Sequence, residues 1–312
     1  MIEVIKPGLL TTIQDQGRWG YQCYGVGISG ALDSFALAAA NRLVGNAEGA
    51  AGLEITLQGP TLKFHRETIL ALAGADLGPK LNGNPISHWT CHWAPEGSIL
   101  SFSGRKSGVR AYLAVSGGID VPLVMGSRST YLMGRFGGME GRPLRTADRL
   151  PIPKPKANHR ESIGRELPAE YRPPYGRNPE IRVIRGPFEE FFSDRGITAF
   201  YSTEYSITPQ SDRMGYRLEG EPVSRKKSEE LITCGLAQGT IQVPPNGQPI
   251  VLLADRQTIG GYPIIATAAH VDLPLIAQCA PGEKLRFRPV LPEEAQDAYR
   301  SLWSGLRSFL KD

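Results

Sequence analysis

The chain has 312 residues, of which 41% are hydrophobic and 21% charged, and its formal net charge is +4. That length supports about two domains and a sizeable core, while so small and dispersed a basic excess excludes a nucleic-acid surface as its organising feature. No apolar run approaches the ~18 residues of a membrane span. The 36 glycines and 25 prolines point to many turns and short strands rather than long helices.

Cysteines stand at positions 23, 91, 234 and 279 with no CxxC spacing, which reads as reduced thiols rather than a disulfide framework. Met1 leads directly into Ile2-Glu-Val-Ile-Lys-Pro-Gly8 without a signal-peptide pattern, so a cytoplasmic location is expected.

In chain order, Ile2–Ile5 reads as a strand ended by Pro7-Gly8, and Leu9–Gln14 as a second extended piece. A glycine-rich loop, Gly25–Gly30, leads to Asp33, a credible N-cap for a helix over Phe35–Val44. A loop running into a helix N-terminus suits an anion, although no P-loop or GxGxxG follows. Short strand-like runs come next, with Asn82-Gly83 as a hairpin signal. His88–Trp93 alternates as a strand, with His88, Thr90 and His92 on one face and Trp89, Cys91 and Trp93 on the other. Cys91 then points away from both histidines, which argues against zinc. Ser116–Asp120 is a strand tip opening on paired glycines. Ser127, Arg128, Ser129, Thr130 and Arg142 form a loop set that would suit a carboxylate or phosphate, or a solvated loop.

Residues 151–180 carry seven prolines and few large apolar side chains, and read as a linker between domains over 1–150 and 181–312. Ile181–Pro187 echoes Ile2–Gly8, and Ala280–Phe287 echoes Ala94–Phe102, hinting at two related β-rich units. Tyr201–Thr208 alternates as a strand, and Ser211–Leu218 places an acid and two arginines around Gly215. The most distinctive stretch follows. Ile250–Ala254 reads as a buried strand that delivers Asp255, Arg256, Gln257 and Thr258, breaks at Gly260-Gly261 and leaves through Tyr262-Pro263. Bare glycine backbone beside an acid, a guanidinium and a hydroxyl reads as a polar binding site or as an elaborate hairpin turn. Pro292–Leu310 is the clearest helix, with Ala295, Tyr299, Leu302, Trp303, Leu306 and Leu310 on one face. No catalytic triad, metal motif or biotin-attachment lysine can be assigned.

Several of these stretches together resemble the family of the 5-oxoprolinase C subunit, also called allophanate hydrolase subunit 2 or the biotin-dependent carboxyltransferase family. They are Pro7–Arg18, Ser29–Asp33, Ala40–Asn46, Leu53–Leu57, Arg110–Asp120, Gly126–Thr130, Ser211–Leu218 and Asp255–Pro263. The resemblance implies a mainly β chain of two cyclophilin-like β-barrel domains with short helices and a C-terminal helix. It implies two partners, a kinase-inhibitor-like B subunit and an A subunit of the oxoprolinase. It also implies ATP-dependent opening of 5-oxoproline to glutamate by the complex, through a phosphorylated intermediate. The alternatives are a carboxyltransferase acting on urea or a similar amide with a separate biotin carrier, and a non-catalytic antagonist of a kinase inhibitor. On that basis Asp255, Arg256, Thr258, Asp212 and Arg213 are expected at the chemistry. Asp255 would serve as base or as orienter of Arg256, and Asp212–Arg213 as a second charged pair. Gln14, Ser29, Asp33, Arg128, Gly260, Gly261 and Tyr262 are expected to contact substrate. ATP is expected without a site placed on this chain, and no metal.

Overall fold

A computed structural model describes residues 1–153, 159–226 and 231–309. Of the sequence features above, Pro155 and Leu310 lie outside the described residues. The chain divides into two compact units: residues 1–19, 29–172 and 303–312, and residues 20–28 and 173–302.

The first unit contains β1 (Ile2–Lys6), β2 (Leu10–Gln14), α1 (Ser34–Leu43), β3 (Gly52–Thr56), β4 (Thr61–Phe64), β5 (Thr68–Asp76), β6 (Pro79–Leu81), β7 (Asn84–Pro85), β8 (Cys91–Ala94), β9 (Ile99–Phe102), β10 (Ser107–Val115) and β11 (Arg149–Leu150). They form two sheets, β11-β1-β4-β9-β6-β7 and β2-β3-β10-β5-β8. Ile2, Val4, Leu62, Phe64 and Leu100 of the first sheet share one core with Ile13, Leu53, Ile55, Leu70, Leu72 and Leu113 of the second. Strand alternation presents these side chains on one face of each sheet, so the two must stack to bury them. Asp33 caps α1 as its sequence position implies, its Oδ1 accepting from Ala36 N at 2.9 Å.

The strand expected from His88 begins only at Cys91. Trp89 adopts a positive φ of 61°, which breaks the alternation. Trp89 and Cys91 are therefore buried, whereas Trp93 is 41% exposed rather than turned inward. The proline-rich stretch after residue 150 is not free of the first unit. Leu167 N donates to the Trp89 carbonyl, and Cys91 N donates to the Arg165 carbonyl.

The second unit contains β12 (Glu180–Arg185), α2 (Asp194–Ser202), β13 (Tyr205–Ile207), β14 (Gly215–Glu219), β15 (Cys234–Gly235), β16 (Thr240–Gln242), β17 (Ile250–Leu252), β18 (Ile259–Gly260), β19 (Ile264–Ala268), α3 (Leu273–Ala277) and β20 (Lys284–Pro289), followed by α4 (Pro292–Phe309). Seven strands close a barrel in the order β12-β19-β16-β17-β14-β13-β20, and β15 pairs with β18 in a separate ribbon. The mainly β architecture with few helices and a terminal helix is as expected. The run Tyr201–Thr208 differs from its reading as a strand: α2 continues to Ser202 and only Tyr205–Ile207 is extended. Ser193 Oγ accepts from Gly196 N at 3.0 Å as the N-cap, and Gly196, Ala199 and Phe200 form the buried i, i+3, i+4 face. On α4, Ala295, Tyr299 and Leu302 pack with Val271 and Val290. Trp303 belongs to the first unit, where its ring meets Phe35 edge-on at 5.6 Å.

Phe200 of α2 stacks on Phe287 of β20 at 4.6 Å and 15°. Both rings are essentially inaccessible to solvent. Phe287→Ala is expected to destabilise the second unit by about 3–5 kcal/mol, through lost transfer energy and the cavity left behind. Urea denaturation checks this. A loss under about 1 kcal/mol would mean that Phe287 does not close the barrel core.

Candidate functional site

The turn after β17 is set by a buried ion pair. Arg213 Nε donates to Asp255 Oδ2 at 2.9 Å and Nη2 to Oδ1 at 3.1 Å. The two residues are 4% and 3% exposed. Their meeting follows from strand register. β14 and β17 are antiparallel with Gly215 opposite Leu252, and continuing that ladder brings Arg213 beside Asp255, where Asp255 N donates to the Arg213 carbonyl. One expectation is thereby corrected: among the described residues Asp255 holds Arg213, not Arg256. Asp212 is exposed, and its Oδ1 accepts from Met214 N at 2.8 Å and Gly215 N at 3.2 Å, as an aspartate does in a tight turn.

Arg256 is buried among backbone carbonyls, donating from Nε to Leu236 O at 3.1 Å and from Nη1 to Leu253 O at 3.2 Å. Among the described residues no carboxylate pairs with it, and burial lowers its pKa to about 10, so it remains a cation at neutral pH. It ties the β15–β16 connection to the turn. Thr258 acts through its backbone, its carbonyl accepting from Leu236 N. At Gly260 a Cβ would come within 2.9 Å of Gln242 Nε2 and of Leu236 Cδ1, so those two side-chain ends would have to shift to admit one. At Gly261 a Cβ would lie 3.2 Å from the Leu231 carbonyl.

This turn forms one wall of a cleft of about 490 Å³ in the second unit. Gln257 and Tyr262 come from the turn, Arg217 and Glu219 from β14, Gln242 from β16 and Ile250 from β17. Tyr262 is 46% exposed. Of the residues expected at a site, only Tyr262 lines this cleft; Asp255, Arg256 and Gly260 stand behind it and shape the turn.

In the first unit the expected residues gather around Thr130. Gln14 Nε2 donates to the Thr130 carbonyl at 3.2 Å, and Ser29 Oγ donates to the same carbonyl at 2.7 Å. Two residues back, Arg128 donates from Nε to Val121 O and from Nη2 to Asp120 Oδ1. The centre of this loop is a residue not singled out in the sequence, Asp15. Its Oδ1 accepts from Ser127 Oγ at 2.7 Å, from Ser129 Oγ and from Gly17 N, and its Oδ2 accepts from Arg128 N at 2.6 Å. The hydroxyls of Ser127 and Ser129, which the sequence offers to an exogenous anion, are thus committed to Asp15. Arg142 is likewise committed, forming two hydrogen bonds to Asp148 at 2.8 and 2.9 Å. Asp33 stands apart from Thr130, at the start of α1. There Leu32 N donates to Glu54 Oε2, Asp33 N to the Tyr112 hydroxyl and Ala36 N to Asp33 Oδ1. These three donors are buried and already bonded within the chain.

Residues 24–289 match the family described as carboxyltransferase domain, subdomain A and B. The chain belongs to this family. It is 42% identical over 301 residues to the 5-oxoprolinase C subunit of Escherichia coli, covering 96% of this chain and 94% of that one. It is 35% identical to the protein of the same name from Haemophilus influenzae, covering 95% and 93%. The solved structure of Kluyveromyces lactis urea amidolyase superposes with a TM-score of 0.92 at 31% identity, covering 99% of this chain and 20% of that one.

Two family stretches therefore contain residues whose roles only geometry reveals. Asp15 sits inside Pro7–Arg18, and Arg217 sits inside Ser211–Leu218. The alternation of β14 could have shown that Arg217 and Glu219 share one face. Nothing in the local sequence of Gln242 marks it.

Replacing Asp255 by Asn removes the carboxylate that accepts two hydrogen bonds from the buried Arg213 guanidinium, with an expected loss of about 3–5 kcal/mol. The double variant Asp255→Leu with Arg213→Met is expected to recover much of that loss. Equal losses for the single and double variants in urea denaturation would contradict this. Asp15→Ala removes the acceptor for four donors and is expected to cost about 3 kcal/mol or more, read as a fall in the unfolding midpoint. An unchanged midpoint would show that the loop holds without it.

Proposed function

We propose that this chain is the C subunit of an ATP-dependent 5-oxoprolinase. It would act with an A and a B subunit to open the ring amide of 5-oxoproline to glutamate. One observation carries this reading: the 42% identity to the Escherichia coli 5-oxoprolinase C subunit runs nearly end to end on both chains. In the reaction the ring C–N bond breaks and water is added, while ATP is cleaved to ADP and phosphate through a phosphorylated lactam. ATP is assigned to the complex. No residue of this chain is assigned a nucleotide contact.

On this reading the Arg213–Asp255 pair and Arg256 act as positioning residues. They fix the turn that carries Gln257 and Tyr262, and preset donors and acceptors are what orient a small amide and polarise its oxygen. Gln14, Ser29 and Arg128 shape the first-unit loop around Thr130. A second reading, transfer of a carboxyl group to an amide from a separate biotin carrier, is favoured by the family description and by the superposition on urea amidolyase. In that relative the matching region is only 20% of the chain.

Mixing the purified chain with its A and B partners, 5-oxoproline and ATP is expected to release glutamate and ADP in a manner insensitive to avidin. Absence of glutamate would refute the oxoprolinase reading, and inhibition by avidin would favour the biotin-dependent one.

A further inference from the structure

The second-unit cleft holds hydrogen-bonding capacity that the fold leaves unused. Gln242 is 1% exposed, and its Nε2 donates to the Tyr262 carbonyl at 3.3 Å. A carbonyl can face only the NH2 end of a carboxamide, so this bond fixes the orientation of the group and leaves Oε1 as an acceptor. Among the described residues no donor is bonded to that oxygen. Thr208 Oγ1 is also buried at the cleft, with no hydrogen-bond partner among the described residues. Arg217 is exposed and lines the same cleft, with no ion pair among the described residues. Gln248, by contrast, is consumed internally: its carboxamide accepts from Gly220 N and donates to Gly220 O.

Register places these groups in a row. Gln242 and Arg217 are both opposite Ile250, one on β16 and one on β14, with β17 between them. Residues opposite one another project to the same face, and two strand spacings put their backbones about 10 Å apart. Two long side chains can close over the apolar Ile250 from either side. The row therefore offers a carbonyl acceptor, an apolar floor and a guanidinium in that order. We propose that this cleft binds a small ligand bearing both an amide-type N–H and a carboxylate. The N–H is donated to Gln242 Oε1, the carboxylate pairs with Arg217, and the hydrocarbon part lies on Ile250. A lactam acid such as 5-oxoproline belongs to this class, and to that extent the inference rests on the function proposed above. The cleft is larger than such a ligand requires; Gln210, Glu219 and Asn246 line the remainder.

Calorimetric titration of the full-length chain, alone and mixed with its partner subunits, tests the assignment with three probes. 5-Oxoproline is expected to bind, whereas 2-pyrrolidone, which lacks the carboxylate, and N-methyl-5-oxoproline, which lacks the N–H, are each expected to bind at least about tenfold more weakly. Arg217→Gln, at an exposed side chain, should abolish the preference for the acid over 2-pyrrolidone. Gln242→Leu should abolish the preference for the N–H form, with a thermal melt confirming that it folds. No binding of 5-oxoproline, or equal binding by wild type and Arg217→Gln, overturns the proposal. Glutamate release by the same mixtures is a separate readout. Specific binding without turnover would refute the oxoprolinase reading and leave the cleft standing. Turnover with an unchanged KM in Arg217→Gln would do the reverse.

Discussion

The ion pair between Asp255 and Arg213 is the constraint from which the second unit's cleft follows. Both groups are almost entirely removed from water, so each is a charge that could not stay buried alone. Their two parallel hydrogen bonds fix the backbone after β17 against the start of β14 in one position. A buried ion pair is weak evidence of net stability, but it penalises every alternative placement that would separate the partners. With the turn held there, Arg256 reaches the carbonyls of Leu236 and Leu253, Gly260 fits against Gln242, and Gln257 and Tyr262 arrive at the cleft wall.

The first unit solves a similar problem differently. Asp15 is also buried, but it is surrounded by hydroxyl and backbone donors in place of a cation. Several such donors can hold a carboxylate without a counter-ion. The consequence is chemical. A loop rich in glycine, serine and threonine looks from its composition like a receptor for an external anion, yet here it folds around an internal one. Arg18, fully buried, adds to the same arrangement by donating to the Val124 and Ser129 carbonyls and lying over Phe136.

Much of the architecture was legible because it depends on local periodicity and punctuation. Asn82-Gly83 marks the β6–β7 hairpin, Asp33 caps α1, and the apolar face of α4 is visible as a 3.6-residue repeat. Local reading failed where one residue overrode the pattern, as Trp89 does with its positive φ, and where a short amphipathic helix, α2, sits in a sequence that also alternates. The likeness of Ser211–Leu218 and Asp255–Pro263 to the family was also visible in the sequence, and it drew attention to the turn after β17.

The amino-acid sequence by itself determined the mainly β class, the short strands, the terminal helix and the family, because each is written in residues close together along the chain. Only the tertiary structure decided which charges are partners. Asp212 turns to the Met214 and Gly215 N–H groups beside it, whereas Asp255, 42 residues on from Arg213, is brought to that arginine by the β14–β17 register. The row of Gln242, Ile250 and Arg217 has the same origin. It is assembled across three strands by backbone hydrogen bonding, which joins residues distant in sequence and leaves no mark on any one of them alone.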